Sequence, residues 1–194
     1  MTLTHTTTAQ TASTATVTRH WGTPVLTIAL PLDDIVHPDL ATTGPDGPAL
    51  EVLNVEDALA DPDRLQAEFR ATFAALAATY PPQIRPDVTD VDLEVQVWRY
   101  GYDEPAAGHA ADLVGWCVLA ASQAPTHTES GALALGDPRA GSAMTAMPGL
   151  PWGRQHMVRP IPGAHLAAPG WLTSSVVPLE RGQFVVAAIA KSVR

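Results

Sequence analysis

The chain of 194 residues is 46% hydrophobic and 16% charged, and its formal net charge at pH 7 is −9. This length and composition predict one domain whose core is large enough to fold without cross-links. Nucleic acids and anionic membranes require clustered basic residues, whereas Lys191 is the single lysine, so we expect a small-molecule substrate and neither of those partners.

Residues 1–18 are rich in threonine and lack the basic and continuous apolar segments of a signal peptide. They offer too little apolar surface to offset chain entropy, so we expect a disordered tail before a single domain at 19–194. No later segment approaches the roughly 18 apolar residues of a membrane span. Cys117 is the only cysteine, which excludes a disulfide framework and is typical of a cytoplasmic protein.

Two segments predict regular structure in the first half of the chain. Residues 23–32 are rich in β-branched side chains and are expected to form an opening strand. Apolar residues recur at spacings of three and four over 62–80, and Asp61 is a plausible cap before Pro62, so we expect an amphipathic helix there. The recurring residues are Leu65, Phe69, Phe73, Leu76 and Tyr80.

From residue 92 onward the sequence changes to short apolar segments separated by glycine, proline and aspartate. These segments read LEVQVWRY, LVGWCVLAA, GALALG, AHLAAP, WLTSSVVP and QFVVAAIAKSV. Six or more short strands after one helix predict a mainly β, antiparallel barrel or sandwich over about 90–193, with the helix as a buttress on its outer face.

The order of these segments resembles that of a small bacterial family of 2-oxoglutarate/Fe(II) oxygenases. The resemblance covers roughly residues 20 to 193, and its most specific parts are SGALALGDPR and the run from Pro162-Gly163 through Trp171-Leu172 to Val176. It implies a double-stranded β-helix, which is a jelly-roll and cupin-like fold.

The resemblance also implies where metal ligands would stand. Such oxygenases hold iron with two histidines and a carboxylate or third histidine. An overlay without gaps assigns the first two ligand positions to Ala106 and Gly108 and the distal one to Ser174. The arginine that would bind the 2-oxoglutarate carboxylate is expected near Gln183 or Phe184, and neither side chain can form that ion pair. We therefore expect no metal and no cofactor.

A displaced register gives the alternative. If the strand starts one residue later, His109 fills the second ligand position. His109 and Asp112, with His156 or His165, would then form a relocated Fe(II) site.

Strand alternation predicts which residues border the emptied centre. Asp112, Val114, Trp116 and Val118 share one face, so Asp112 and Trp116 are expected beside Ser174. Asp112 is either a solvated carboxylate at the strand entrance or a general acid or base whose pKa an apolar wall raises.

His165 has two interpretations as well. It is either a satisfied, partly buried side chain or an acid–base group that approaches Ser174 across a strand pair. A hydrolytic triad of Ser174, His165 and Asp112 is disfavoured, because no G-x-S-x-G turn accompanies the serine.

Two segments rich in aromatic and polar residues are expected at the rims of the pocket. In MPGLPWGRQHMVRPIPG, the side chains of Trp152, Arg154, His156 and Arg159 form either a lid that binds an anionic ligand or a rigid surface loop. YGYDEP supplies Tyr100, Tyr102, Asp103 and Glu104. We expect Tyr102, Arg154, His156, Trp116 and Ser174 to bind substrate, and Glu104 to join Asp112 and His165 as catalytic groups.

Two classes of function follow. The first is an iron-free enzyme for a redox-neutral step on a small molecule, such as cyclisation, isomerisation, elimination or hydrolysis. The second is a catalytically silent binding module that acts as a homodimer or with a heteromeric partner enzyme. The composition, rich in alanine, proline and arginine and poor in lysine, indicates a bacterium with a GC-rich genome, in which such divergent copies often serve specialised metabolism. The two polar and aromatic rims favour the enzyme.

Overall fold

The computed structural model describes residues 16–20, 22–123, 126–138 and 155–194. Its strands are β1 (Thr16–His20), β2 (Thr23–Ala29), β3 (Leu50–Leu53), β4 (Asp90–Arg99), β5 (Leu113–Ala121), β6 (Leu133–Leu135), β7 (His156–Val158), β8 (Ala164–Pro169), β9 (Ser174–Val176) and β10 (Phe184–Val193). Its helices are α1 (Val55–Ala58) and α2 (Pro62–Ala77), with 3₁₀ turns at Pro38–Thr42 and Pro82–Ile84.

The strands form two antiparallel sheets. The larger has the order β1-β2-β8-β5-β10-β4-β3, and the smaller has the order β7-β6-β9. An isolated bridge between Ala107 and Ser174 adds the segment before β5 to the free side of β9. The series β4-β10-β5-β8 thus faces the series Ala107-β9-β6-β7. This arrangement is a double-stranded β-helix, so the predicted mainly β, jelly-roll fold is confirmed.

Helix α2 covers the outer face of the larger sheet, as the apolar spacing predicts. Asp61 caps the helix by accepting a hydrogen bond from the backbone N–H of Arg64 at 2.9 Å. The helix ends at Ala77 rather than at residue 80, in agreement with the restriction that Pro81 places on Tyr80. The apolar helix residues form one core with that face of the sheet; they include Leu65, Phe69, Phe73 and Leu76.

Strand β5 separates two apolar layers by simple alternation. Val114, Trp116 and Val118 face the smaller sheet and belong to the core between the sheets. Cys117 and Leu119 face helix α2 and belong to the other core. The predicted shared face of residues 114, 116 and 118 is therefore correct, and it defines the space in which a functional site can lie.

Several parts of the chain differ from the sequence analysis or lie outside the described residues. Thr16–Thr18 are in β1, although the predicted tail extended to residue 18. The short strand β3 was not predicted, and β7 lies in a segment interpreted as a loop. Residues 1–15 lie outside the described residues. No helix in the described ranges is long and apolar enough to cross a membrane.

Gly115 provides a test of the contact between sheet and helix. A Cβ atom added there would lie 2.8 Å from the ring of Phe69 and 3.1 Å from that of Phe73. We expect Gly115→Ala to lower the free energy of unfolding by about 1–3 kcal/mol, because both rings must move. Urea denaturation measures this, and Gly44→Ala, whose Cβ would meet nothing closer than 3.9 Å, is the control. Equal stability of the two variants would contradict the described packing.

His165 predicts a pH dependence of stability. The residue is completely buried, and burial lowers its pKa to about 4. Protonation near the unfolded value of about 6.5 then favours the unfolded chain. Stability should be complete above pH 6.5 and fall by about 3 kcal/mol as the pH drops to 4. His165→Phe keeps a ring against Phe69 but cannot be protonated, so urea denaturation should show a flatter pH profile for this variant. An unchanged profile would contradict the prediction.

Candidate functional site

His109 and Ser174 form the centre of the candidate site. The backbone N–H of Ala107 donates to the carbonyl of Ser174 at 3.1 Å, and the N–H of Ser174 donates to the carbonyl of Ala107 at 2.9 Å. Paired residues of antiparallel strands, and residues two apart, share one face. Ala107, His109 and Ser174 therefore point into the space between the sheets. A hydrogen bond of 3.1 Å joins His109 Nε2 to Ser174 Oγ.

This pairing differs by one residue from the overlay that placed Ala106 and Gly108 beside Ser174. Ala106 and Gly108 lie on the opposite face of the segment, away from Ser174. A Cβ atom at Gly108 would lie 3.3 Å from the carbonyl oxygens of Gly170 and Trp171, so a ligand side chain there would meet backbone. With Ala107 opposite Ser174, His109 rather than Ala106 or Gly108 lies on the same face as Ser174.

Gly170 fixes the path of the chain on either side of His109. The N–H of His109 donates to the carbonyl of Gly170 at 2.7 Å, and the N–H of Gly170 donates to the carbonyl of Asp112 at 2.8 Å. A Cβ atom at residue 170 would lie 1.8 Å from the carbonyl oxygen of Ala111. Only glycine permits this close approach, which holds the segment before β5 against the turn before β9.

The surroundings of His109 favour a neutral imidazole. Its ring stands edge-on to Trp116, with 5.4 Å between ring centroids. Burial lowers the pKa of His109 below its ordinary value, and the positive charge of Lys191 lowers it further. Lys191 lies opposite Val114 in the sheet and so shares its inward face. A neutral imidazole at pH 7 can accept a proton.

The residues around His109 do not fit a facial triad for iron. Ala107 has no donor atom, and the Ser174 hydroxyl is a poor replacement for a histidine. No group of three His, Cys, Asp or Glu side chains suited to a metal occurs in the described part of the chain. Residues 139–154, which are not described, contain none of these four residue types.

The start of β10 does not fit 2-oxoglutarate either. The side-chain amide of Gln183 donates to the carbonyl of Ser130 at 3.1 Å, and the Ser130 hydroxyl donates back to the amide oxygen. Phe184 belongs to the core below helix α2, and Val185 to the core between the sheets. The Gln183 side chain therefore forms structural hydrogen bonds with Ser130, and none of residues 183–185 has a cationic side chain.

Asp112 does not carry the raised pKa that a buried general acid requires. Both carboxylate oxygens accept hydrogen bonds from Arg194, at 2.8 Å and 2.6 Å. The hydrogen bonds from Arg194 lower the pKa of Asp112. The structure thus agrees with the carboxylate at the strand entrance, now in an ion pair, rather than with the acid–base interpretation.

His165 does not approach Ser174. It lies opposite Cys117 in the sheet and faces helix α2, where its ring centroid is 4.5 Å from that of Phe69. Its Nε2 is 3.1 Å from the hydroxyl of Thr72, which itself donates to the carbonyl of Phe69. The alternation of β8 therefore puts the larger sheet between His165 and the His109 site. The disfavoured triad and the relocated site with His165 are accordingly not formed.

The remaining predicted residues occupy several places. Tyr102 packs on Trp98, with ring centroids 5.6 Å apart, and hydrogen-bonds to Glu104. Burial raises the pKa of Glu104. Both residues follow β4 at the edge of the space between the sheets. This position agrees with the prediction that the segment YGYDEP lies at the rim of a pocket.

The segment predicted as a lid is described only in part. His156 pairs with Leu135, which pairs with Ser174 in the register of the smaller sheet, so His156 lies two strands from Ser174, roughly 10 Å away. Arg154 and Trp152 lie outside the described residues.

A cleft reaches His109 from the surface. Its volume is about 440 Å³, and its lining includes Tyr80, Ile84, Pro86, His109, Asp112 and Trp171. These side chains come from the end of α2, the turn after it, the segment before β5 and the turn before β9. Sequence reasoning missed the cleft because no local pattern joins these segments.

Several solved structures resemble this chain in fold, whereas no protein-family model and no curated protein match it. A Pseudomonas putida prolyl-4-hydroxylase has 13% identity and a TM-score of 0.51 over 75% of this chain and 68% of its own. A rice dioxygenase for auxin oxidation has 14% identity and a TM-score of 0.45 over 69% and 45%. The non-haem alpha-ketoglutarate-dependent epimerase SnoN from nogalamycin biosynthesis has 14% identity and a TM-score of 0.38 over 74% and 62%. The likeness to the prolyl-4-hydroxylase shows the fold alone.

Lys191 provides a test of the electrostatics of the site. We expect Lys191→Met to raise the pKa of His109, because the neighbouring positive charge that disfavours the imidazolium is removed. A titration of the His109 ring by long-range ¹H–¹⁵N NMR measures the effect. Lys191→Arg keeps the charge and should leave the pKa close to that of the parent protein. The same rise in both variants would show that packing, not charge, is responsible.

Proposed function

We propose that this protein is a metal-independent enzyme of the double-stranded β-helix fold that transfers protons in a redox-neutral reaction of a small molecule. The observation that carries the proposal is the hydrogen bond between His109 and Ser174. The resemblance to oxygenases implies a metal ligand at the position of Ser174, so the pair supports chemistry at that place. An imidazole at that position, next to a cleft, can do the acid–base work of an isomerisation, an elimination or a cyclisation.

His109 is the proposed general base. Because burial and Lys191 lower its pKa, the ring is neutral and ready to accept a proton at pH 7. The bond to Ser174 and the edge-on contact with Trp116 restrict the rotation of the ring. A base held in one orientation loses less entropy when the substrate arrives.

Glu104, with Tyr102 beside it, remains the candidate proton donor from the sequence, although it is not among the described residues that line the cleft. Burial raises the pKa of Glu104, so its protonated form persists at higher pH than that of an exposed glutamate. Environments that raise the pKa of a carboxyl group and lower that of an imidazole distinguish an acid from a base. Asp112 and His165 have no catalytic role in this proposal, because the first is paired with Arg194 and the second faces helix α2.

Hydrolysis through Ser174 is less well supported than proton transfer. The Ser174 hydroxyl is within hydrogen-bonding distance of an imidazole, as a nucleophile requires. However, its own backbone N–H donates to Ala107, so it is not free to stabilise an oxyanion.

The second candidate is a catalytically silent module that acts as a homodimer or with a partner enzyme. It is favoured by the apolar filling below His109, where Leu133, Leu135, Val185 and Ala187 close the space between the sheets. In this second candidate, apolar side chains fill the space between the sheets, where an oxygenase would have its active site, and the cleft binds a regulator. A cytoplasmic location and a role in bacterial specialised metabolism belong to both versions.

Hydrogen exchange into candidate substrates tests the enzyme directly. Small molecules with an acidic C–H bond are incubated with the protein in D₂O, and deuterium uptake is followed by mass spectrometry. A general base should catalyse this uptake even where the complete reaction is unknown, and His109→Gln should reduce the rate about 100-fold or more. His127→Gln, at an exposed histidine, is the matched control and should retain the full rate.

Two results would contradict the proposal. Exchange that persists in His109→Gln would show that His109 is not the general base. Iron near one equivalent by elemental analysis, together with 2-oxoglutarate consumption that disappears in His109→Ala, would establish the relocated Fe(II) site instead.

A further inference from the structure

We infer that the substrate of the His109 site is an uncharged ring compound that binds in the cleft between Trp171 and Ile84. The inference rests on the proposed function for the place of the chemistry, and it adds the class of molecule that the cleft takes. Three features carry it: the apolar surface left in water, the charges that are already paired, and the position of His109.

The cleft exposes large apolar side chains that the fold does not bury. Ile84 is 67% exposed and Trp171 is 56% exposed, and both border the same cleft. Pro86 and Tyr80 extend this surface from the side of helix α2. Single exposed apolar residues are ordinary, but several around one concavity are typical of a ligand site. The volume of about 440 Å³ suits a molecule of one or two rings.

The charges at the cleft argue against an ionic ligand. Among the described residues that line it, Asp112 is the only acidic or basic side chain other than His109. Both oxygens of Asp112 are bonded to Arg194, so an ammonium group would have to compete with the guanidinium for the carboxylate. An anion would have to approach a chain whose net charge is −9 and would find no unpaired guanidinium among the lining side chains. An uncharged molecule needs neither a free carboxylate nor a free guanidinium in the cleft.

The position of His109 agrees with a neutral substrate. His109 is partly buried and is among the residues that line the cleft, and burial already lowers its pKa. A neutral ring compound excludes more water without adding a charge, so the imidazole stays neutral until it accepts the proton. One C–H bond next to a carbonyl group breaks, the proton moves to His109, and a proton returns to the same or another atom. No oxidant or reductant takes part.

Three compounds with one skeleton test the charge of the ligand. 2-Tetralone is neutral and has exchangeable C–H bonds, 2-aminotetralin is a cation at pH 7, and tetralin-2-carboxylate is an anion. Ligand-observed NMR titrations at physiological salt should give the ketone a dissociation constant at least about tenfold below those of the two ions. An ion that binds as tightly as the ketone would overturn the inference, as would no measurable binding of the ketone at millimolar concentration.

Two variants test the place of binding. Ile84→Ala should weaken the binding of 2-tetralone about three- to tenfold, because apolar contact area is lost. Ile161→Ala is the matched control, since Ile161 is 61% exposed but borders a different groove. Equal effects of the two substitutions would contradict binding of 2-tetralone in the cleft.

The variant His109→Gln separates the ligand class from the proposed function. If it leaves binding intact and the parent protein catalyses no exchange, the proposed function fails while the ligand class stands. If exchange depends on His109 but not on Ile84, the ligand class fails while the proposed function stands.

Discussion

The site depends on a backbone constraint, the pair of hydrogen bonds between Ala107 and Ser174. They attach an irregular segment to the edge of β9 and so decide which of its side chains point inward. A shift of one residue reverses every side chain of a paired segment. With Ala107 opposite Ser174, His109 reaches the serine hydroxyl; with Ala106 or Gly108 there, the imidazole would face away. Gly170 reinforces this register because its bonds to His109 and Asp112 leave no room for a Cβ atom.

The two sides of the larger sheet give two histidines different properties. Burial lowers the pKa of both His109 and His165. His165 is sealed between β8 and helix α2, where its Nδ1 has no hydrogen-bond partner among the described residues. Its protonation therefore acts on stability. His109 lies at the opposite face beside an open cleft, so its protonation can act on a ligand. Strand alternation, not residue type, decides that His165 faces helix α2 and that His109 faces Ser174 and Trp116.

The sequence predicted what depends on local periodicity. Helix α2 and its cap at Asp61 follow from spacings within one segment, and the two faces of β5 follow from alternation. The register at Ala107 was not predictable, because a short polar segment has no period that fixes it. The ion pair of Asp112 with Arg194 joins residues 82 positions apart, and no pattern near Asp112 indicates it. The cleft was missed for the same reason.

The pair of His109 and Ser174 has a purely structural explanation as well, and the cleft is what distinguishes the two. A partly buried imidazole and a buried hydroxyl each gain from a partner, and they satisfy one another. That account explains the bond but not the surface beside it. Ile84 and Trp171 keep large apolar areas in water next to the imidazole, at a cost in free energy that a structural site would avoid by using polar side chains. A ligand that covers these side chains would recover that free energy in a cleft whose lining includes His109.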